Sequence, residues 1–462
     1  MSPKKKKFKG TWIAAGIFVL LAVVALYLDS GDKANRDKIR IYKVEKEDIK
    51  SFELTNITGN ELVACERYGA SDWGIIKPKV YEGEKSEIET VVTNLASLYL
   101  DRKIDKPEEL KNYGLEKPSY SASFTLKNGK KHTLLIGDKN PTDTFFYVKD
   151  KDGKDIYMGY SFSLSALIKN VKDLRKKSLF DINTETAYRA DLKFETKEYS
   201  FLKGEDKNWL ITPYNFKGNK IEVERLISEL KALKAKDIIE DDPKDLKKYG
   251  LDRPRLIVTV ADAGGKNITV LVGKKSIEKN EDYAKLESSQ VIYSIPDNFL
   301  KETDKNYNDY REKKIVELKE ADVSEVEILD GKKRFAAVKG KNGSYAFTEP
   351  AKPAGDKKKD TKEDKSAEAL KKLVTALLEL SSEEFTDDSG KKFEKYGLKT
   401  PATSIALYGR ENNERALKLK FFLGEENKKG VFLKIHNMDS VFTVNSSILD
   451  KIKDVEKAGE AK

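Results

Sequence analysis

Apolar and polar residues alternate in short runs along most of the chain, and this alternation predicts β-strands. In one clear block, Ala122, Phe124 and Leu126 are spaced by two residues and Asn128-Gly129 follows. Asn-Gly beside alternating apolar residues is the strongest short-range signal for a β-hairpin. We therefore predict antiparallel strands, each with one apolar and one polar face.

The period of the apolar positions changes to that of a helix near Ser86. Ser86 and Glu89 match the capping-box pattern, in which a serine side chain begins a helix and a glutamate follows three positions later. The apolar residues that follow at helical spacing are Ile88, Val91, Val92, Leu95 and Leu98. This pattern predicts an amphipathic helix that packs one face on the strands.

The pattern Y-G-L-x-x-P occurs three times, beginning at Tyr113, Tyr249 and Tyr396. Tyr113 and Tyr249 are 136 residues apart, and the same offset relates Trp73 to Trp209. Glycine accepts positive φ and proline keeps its predecessor extended, so the pattern ends a helical turn and begins a strand. A register kept over this length predicts three homologous repeats, each built as β-β-β-α-β-β-β-β-α.

The stretch 10–28 carries no charged residue and follows the lysines at 4–7 and 9. Nineteen uncharged residues are about the length that crosses a bilayer, so we predict a single transmembrane helix. The lysines before it place the N-terminus in the cytoplasm by the positive-inside rule. A cleavable signal peptide shares the basic start and apolar run, but bulky Leu26 and Leu28 stand where small residues precede a cleavage site.

Composition excludes several functional classes. Charged residues make up 36% of the chain and the net charge is +10, but lysines alternate with acidic residues outside the N-terminal cluster, so no nucleic-acid-binding patch is predicted. The single cysteine, Cys65, permits no intrachain disulfide. His132 and His436 lie in different repeats without a neighbouring nucleophile or acid of defined spacing. We predict no catalytic, metal-binding or cofactor-binding residues, and no enzymatic activity.

Two loops invite a ligand-binding interpretation. The acidic stretch 150–155 has oxygen ligands suited to calcium, but it lacks the glycine at position six and the bidentate glutamate of an EF-hand. Gly264-Gly265-Lys266 lacks the remaining residues of a phosphate-binding loop. We predict that both loops are hairpin turns.

The recurring aromatic residues allow two interpretations. Trp73 and Trp209, with Tyr113 and Tyr249, could form a ligand platform if they were exposed. Aromatic strand residues that pack a helix are the more common arrangement. We favour core packing, and exposure of these positions would favour ligand binding.

The string from Tyr113 to Gly137 contains Y-G-L-x-x-P, a strand, Asn-Gly-Lys, a second strand and Leu-Ile-Gly-Asp. It resembles the bacterial domain of unknown function 4340, and the strings 249–273 and 396–424 are similar. The resemblance covers most of the chain after residue 48. The family has no established activity, and its association with gliding-motility-type ABC transporters implies an envelope partner.

The predicted fold class is α+β: one N-terminal transmembrane helix followed by three tandem repeats, each an antiparallel meander of short strands with a packed amphipathic helix. The predicted segments are a cytoplasmic basic tail (1–9), the anchor (10–28), a connector (29–48), repeat 1 (49–183), repeat 2 (184–321), repeat 3 (322–450) with a disordered insert (350–365), and a polar tail (451–462).

These features predict a non-enzymatic protein, held in the bacterial inner membrane by residues 10–28, whose repeats lie in the periplasm. We expect it to act as an interaction or scaffold subunit, with a permease of an ABC-transporter-like envelope assembly as partner. A cell-wall or polysaccharide binding module is the alternative. A hydrolase would need two acidic residues that converge in a cleft.

Overall fold

A computed structural model of the chain describes residues 39–69, 72–349 and 360–460, with side chains in the last range described from Lys365. These residues form two compact units. Unit 1 contains the described residues up to Leu179 together with Lys234–Pro243 and Val291–Ile295. Unit 2 contains Phe180–Leu233, Lys244–Gln290 and the described residues from Pro296 onward.

The sheet of repeat 1 has ten antiparallel strands and lies within unit 1. Its spatial order is β1-β6-β10-β9-β8-β7-β2-β3-β4-β5. Helix α1 (Lys85–Ser97) packs on it, and short helices α2 (Ser161–Ser165) and α3 (Val171–Leu174) follow β10. The strands are β1 (Ile39–Arg40), β2 (Ile49–Asn56), β3 (Glu61–Tyr68), β4 (Asp72–Lys77), β5 (Tyr81–Glu82), β6 (Tyr99–Lys103), β7 (Tyr120–Leu126), β8 (Lys131–Lys139), β9 (Phe145–Asp150) and β10 (Tyr157–Tyr160).

Repeat 2 contributes a seven-strand succession in unit 2, in the order β14-β13-β12-β11-β16-β17-β18, and the antiparallel pair β15 and β19, which belongs mainly to unit 1. Its helices are α4 (Lys220–Ala232) and α5 (Asn298–Thr303). The strands are β11 (Ala187–Phe194), β12 (Glu198–Lys203), β13 (Trp209–Thr212), β14 (Phe216–Gly218), β15 (Asp237–Glu240), β16 (Leu256–Asp262), β17 (Asn267–Lys275), β18 (Glu281–Leu286) and β19 (Ile292–Pro296).

The sheet of repeat 3 has eight strands in the order β22-β21-β20-β24-β25-β26-β27-β23, all in unit 2. Helices α6 (Asp360–Leu378) and α7 (Ser447–Glu460) complete this repeat. The strands are β20 (Glu325–Asp330), β21 (Lys333–Lys339), β22 (Tyr345–Glu349), β23 (Glu384–Asp387), β24 (Thr403–Glu411), β25 (Glu414–Asn427), β26 (Gly430–Ile435) and β27 (Val441–Val444).

Alternating burial along β7 agrees with the predicted two-faced strand: Ala122, Phe124 and Leu126 are buried and their neighbours are partly exposed. Gly129 has φ of +85° in the turn to β8, where its N–H donates to the carbonyl of Leu126. The asparagine-glycine hairpin is therefore confirmed. The apolar face of α1 is buried on the same core.

The predicted fold class is wrong. The described chain is mostly antiparallel sheet, with 42% strand, 22% helix and three sheets. The strands do not form one sequential meander, because each sheet joins two meanders through their first strands: β2 with β7, β11 with β16, and β20 with β24. Local alternation predicts a strand but not its neighbour, and these pairings connect strands on either side of a helix.

The transmembrane part of that fold prediction, residues 10–28, lies outside the described residues. Among the residues that the structure describes, no helix is both long and apolar enough to cross a membrane. The corrected fold of the described chain is therefore mostly antiparallel β, without a membrane-spanning helix.

Several predicted boundaries also differ from the structure. The connector 29–48 supplies β1 and a 3-10 turn, Lys46–Asp48. Helix α1 begins at Lys85, so Ser86 lies inside its first turn and is not the cap. The insert 350–365 ends in helix α6 from Asp360, while 350–359 lie outside the described residues.

The segment predicted as a polar tail, 451–462, instead continues helix α7 to Glu460. Its residues Ile452 and Val455 are buried against the core of repeat 3. Together with Ile448, they give three apolar positions at helical spacing among charged residues, which is enough to bury one face of the helix.

Candidate functional site

The Y-G-L stretch makes the same close contact with a strand glycine in all three repeats, and we call this contact the packing lock. In repeat 1, a 3-10 turn, Leu110–Tyr113, ends at Gly114, which has φ of +64°. The carbonyl oxygen of Tyr113 then lies against Gly137 of β8, so closely that a Cβ on Gly137 would stand 2.1 Å from it. A methyl group does not fit at that distance. The close contact between the Y-G-L stretch and Gly137 therefore has a packing role.

Repeats 2 and 3 build the lock in the same way. A Cβ on Gly273 would lie 2.1 Å from the carbonyl oxygen of Tyr249, and one on Gly424 would lie 2.0 Å from that of Tyr396. The recurring aromatic side chains are buried too, with Trp73 only 4% and Trp209 only 1% exposed. The recurring aromatic residues belong to the cores and form no exposed platform.

The structure brings the other sequence candidates into no common site. Cys65 is buried in β3, where burial raises the pKa of its thiol to about 12. His132 packs against the rings of Tyr42 and Phe124, at centroid distances of 4.8 and 5.0 Å, and these two rings also contact each other. Burial and the nearby charge of Lys130 lower the pKa of this histidine, which favours a neutral ring. The second histidine, His436, follows β26 in another repeat and does not match His132 in position.

The two loops considered for calcium and phosphate binding, 150–155 and 264–266, are turns. In 150–155, the carboxylate of Asp150 accepts hydrogen bonds from the N–H groups of Asp152 and Gly153 at 2.9 and 3.0 Å. In 264–266, the carboxylate of Asp262 accepts from Gly264 and Lys266 in the same manner. Within the described chain, no three or more histidine, cysteine, aspartate or glutamate side chains cluster as metal ligands would.

A cavity in repeat 1 has a volume in the range of ligand sites, and its lining is about equally polar and apolar. It has a volume of about 520 Å³ and lies between the ends of β2 and β3 and the segment 167–172. Ligand sites are typically concave, of 300–1,000 Å³, and largely apolar with a few polar groups. We call it the repeat 1 cavity. Three apolar residues at its base are almost fully buried, with Leu54 2%, Val63 1% and Leu167 1% exposed. The other apolar lining residues are Leu62, Pro78, Tyr120, Ile168 and Val171.

The polar lining of the repeat 1 cavity carries both signs of charge. Its members are Asn56, Asn60, Glu61, Lys169 and Lys172. Lys169 bridges to Glu87 at 3.3 Å and Lys172 lies 4.0 Å from Asp237. Both lysines are thus held at the cavity edge by acidic partners, while Glu61 is exposed.

Strand register shows why repeat 1 has this cavity. Leu54 of β2 pairs opposite Val63 of β3, and in repeat 2 the equivalent Leu192 pairs opposite Tyr199. Tyr199 is 2% exposed, and its hydroxyl donates a hydrogen bond of 2.9 Å to the carbonyl of Lys305. A buried tyrosine in repeat 2 therefore stands where repeat 1 has only a valine.

Two neighbouring positions change in the same direction. Asn56 pairs opposite Tyr120 in repeat 1, whereas Phe194 pairs opposite Leu256 in repeat 2. Val171 follows the capping asparagine Asn170, and in repeat 2 Tyr307 follows the capping asparagine Asn306. Phe194 and Tyr307 each lie with ring centroids 6.3 Å from Tyr199. Three rings that pack together in repeat 2 are thus replaced in repeat 1 by smaller side chains, although Tyr120 adds one ring where repeat 2 has Leu256.

Repeat 3 closes the same position by another route. Ile328 pairs opposite Phe335, so a phenylalanine occupies the place of Val63. Helix α7 packs directly over this ring, because a Cβ on Gly459 would lie 2.8 Å from it. The equivalent position is therefore filled by an aromatic ring in two of the three repeats.

We call the segment that leads out of a repeat its exit segment; it comprises residues 175–180 in repeat 1 and 311–316 in repeat 2. The exit segment of repeat 1 contains a buried arginine. The guanidinium of Arg175 lies 3.9 Å from the ring centroid of Tyr81 and pairs with Asp241 at 2.6 Å. Burial raises the pKa of Asp241, but the hydrogen bond and charge of Arg175 outweigh it and the pKa is lowered overall. The N–H of Ala235 donates to the carbonyl of Lys177, so the segment also pairs with repeat 2 through its backbone.

The exit segment of repeat 2 is built in the same way. Arg311 lies between the rings of Phe216 and Phe385, at 3.6 and 3.7 Å, and pairs with Asp388 at 2.7 Å. Burial lowers the pKa of this guanidinium despite the acidic partner. The N–H of Ser382 donates to the carbonyl of Lys313, as Ala235 does to Lys177 in the first exit segment. Successive repeats are therefore joined by one recurring arginine-aromatic-aspartate contact.

Comparison with protein-family models agrees with this repeat architecture. The model described as Domain of unknown function (DUF4340) matches residues 73–211, 209–373 and 356–457. The chain belongs to this family. No curated protein and no solved structure matches it. Membership of the DUF4340 family assigns no activity. The repeat 1 cavity is therefore the main structural feature that bears on function.

The cavity was not predicted from the amino-acid sequence, although the aligned repeats contain a signal for it. The 136-residue offset places Val63 at Tyr199 and Val171 at Tyr307. A loss of two rings at matched positions can be read from the aligned repeats. Only the structure shows that these rings share one space.

Proposed function

We propose that the chain is a non-enzymatic interaction or scaffold protein whose repeats bind a protein partner. The observation that supports this most is the repeat 1 cavity, with its apolar lining and an edge of both charge signs. Protein-binding surfaces commonly combine an apolar centre with a polar rim. The sequence-based predictions of a periplasmic location and of an ABC-transporter-like permease as partner remain predictions, because residues 10–28 lie outside the described chain.

The exit segments support a scaffold role. Arg175 and Arg311 each connect a repeat to the next through an aromatic ring and an aspartate. Both guanidinium groups are largely buried, with side chains 7% and 5% exposed. A displaced arginine would lose its acidic partner, so each contact resists local disruption. Such recurring contacts suit a protein built from several copies of one unit.

The test is crosslinking of the tagged full-length chain in its native cells, followed by purification and quantitative mass spectrometry. Each recovered protein is then purified and its binding to the full-length chain is measured directly. We expect at least one saturable protein complex. Binding of purified cell-wall polysaccharide with no protein complex would overturn the proposal in favour of a glycan-binding module.

One observation favours that second candidate. The rings of Tyr214 and Tyr307 stack at 4.6 Å and 24°, and Tyr214 is 47% exposed. Stacked, partly exposed rings can bind sugar faces. The set does not recur, because Lys79 and Val171 occupy the matched positions in repeat 1. Polysaccharide binding that is lost in Tyr214→Ala would support this alternative.

A further inference from the structure

The repeat 1 cavity lies at a position where the other two repeats hold a buried aromatic side chain, which we call the plug. Tyr199 fills the matched space in repeat 2, and Phe335 does so in repeat 3. In each case the plug is an aromatic side chain of the chain itself. Repeats 2 and 3 therefore show that an aromatic side chain fits at this position.

The backbone that receives the plug is retained in repeat 1. In repeat 2 the hydroxyl of Tyr199 donates to the carbonyl of Lys305, directly before the capping box of Asn306 and Asp309. In repeat 1, Lys169 directly precedes the same capping box, formed by Asn170 and Asp173, and lines the cavity. The carbonyl of Lys169 thus occupies the position that accepts the tyrosine hydroxyl in repeat 2.

We propose that the repeat 1 cavity binds a tyrosine side chain presented by a segment of a partner protein, with its ring against Val63 and its hydroxyl directed to the carbonyl of Lys169. This inference rests on the proposed protein-binding function and names the chemistry of the partner. A buried aromatic anchor surrounded by polar groups is a common arrangement at protein interfaces.

The dimensions and the edge of the cavity favour a polypeptide over a free phenol. A volume of about 520 Å³ exceeds what one ring requires, so the residues beside the tyrosine also have room. The side chains of Asn56, Asn60 and Glu61 at the edge offer donors and acceptors for a peptide backbone. A free phenol would leave these polar groups unused.

The test measures binding of N-acetyl-L-tyrosinamide to the isotope-labelled full-length chain by methyl NMR, with p-cresol and the D-enantiomer in parallel titrations. We expect saturable shifts of the Val63 and Val171 methyl signals with the L-compound. Its dissociation constant should be at least threefold lower than that of p-cresol and of the D-enantiomer. Equal binding of all three compounds would overturn the assignment of a peptide partner, because only the phenol would then matter.

Val63→Tyr supplies the plug in repeat 1 and should weaken binding of N-acetyl-L-tyrosinamide more than tenfold. The matched control is Val338→Tyr, which adds a tyrosine at an exposed valine of β21 and should leave binding unchanged. If circular dichroism shows that Val63→Tyr does not fold, Val171→Tyr places the ring from the other side. Unchanged binding in a folded plug variant, or no saturable binding to the wild type, would overturn the inference. Protein complexes recovered by crosslinking would in that case leave the broader proposal intact.

Discussion

Repeats 1 and 2 share a backbone but differ in what fills one space. Leu54 and Leu192 occupy matched strand positions, yet Leu54 faces Val63 beside a cavity whereas Leu192 faces the buried ring of Tyr199. The comparison teaches that a repeat can keep its register and its packing lock while a few side-chain changes alter the cavity beside them. Loss of ring volume at fixed backbone leaves space because the surrounding structure relaxes only partly.

The exit segments extend this comparison. Arg175 has one aromatic neighbour and an aspartate that is 40% exposed, whereas Arg311 lies between two rings and its aspartate is 18% exposed. The same contact is therefore drier after repeat 2 than after repeat 1. Water that can reach a charged pair reduces the penalty for breaking it.

The largest effect is expected at the drier junction. Asp388→Ala leaves the guanidinium of Arg311 buried without its acidic partner, and removing one member of a buried pair costs about 3–5 kcal/mol. Urea unfolding followed by tryptophan fluorescence measures the loss. Asp241→Ala, at the junction where solvent reaches the aspartate, is the matched control and should lose clearly less stability. An equal loss in the two variants would contradict the difference between the junctions.

Opening the plugged space of repeat 2 should cost almost as much. Tyr199→Val removes a buried ring and its hydrogen bond to Lys305, which we expect to lower the free energy of unfolding by about 3 kcal/mol. Val63→Tyr, the reverse change in repeat 1, should lose less stability, because the cavity that borders Val63 takes up part of the ring. Calorimetry of both variants checks the pair. A larger loss from Val63→Tyr than from Tyr199→Val would mean that the two spaces are not equivalent.

The packing lock is predicted to tolerate no side chain in either repeat. Gly137→Ala places a methyl group against the carbonyl of Tyr113, and such overpacking costs about 2–3 kcal/mol. Gly129→Ala is the control, because that glycine has positive φ but open space around it, which costs about 1 kcal/mol. Thermal unfolding should therefore show a larger shift for Gly137→Ala, and likewise for Gly273→Ala. Similar shifts for Gly137→Ala and Gly129→Ala would show that the close approach carries little energy.

The smallest effect concerns pH, and it is confined to repeat 1, where His132 stands at the position of Ile268 in repeat 2. Burial and the charge of Lys130 lower the pKa of His132 below the ordinary 6.5, although Asp150 opposes them. The folded state thus prefers neutral histidine. Its contribution is complete above about pH 6.5 and is lost as the pH falls through the lowered value. His132→Phe should flatten the pH dependence of unfolding between pH 7 and 5 relative to the wild type, and an unchanged slope would contradict this assignment.

Part of the fold could be predicted because its signals are local. The turn at Gly129 and the apolar face of α1 follow from period and turn chemistry within a few residues. Strands β6, β15 and β23 were not predicted, because each has only four or five residues and gains its identity by pairing with the last strand of its repeat. The segment 451–462, predicted as a polar tail, instead continues helix α7 to Glu460, since only tertiary packing on repeat 3 reveals its short apolar stripe.

The candidate site was less predictable than the fold. Trp73 and Tyr113 recur in the repeats because they pack in the cores, so their recurrence does not mark a binding site. The informative positions were those that differ between the repeats, Val63 and Val171. A difference between aligned residues shows that volume was lost, whereas its location in a common cavity depends on strands and loops far apart in sequence.

The amino-acid sequence by itself determined that three copies of one unit exist and where each copy turns, because a glycine with positive φ, a proline and an apolar period act over a few residues. Only the tertiary structure decided which strands pair across the helices, which rings share a space, and that repeat 1 leaves that space open. Those outcomes depend on contacts between residues distant in sequence, whose free energies arise only when the whole sheet assembles.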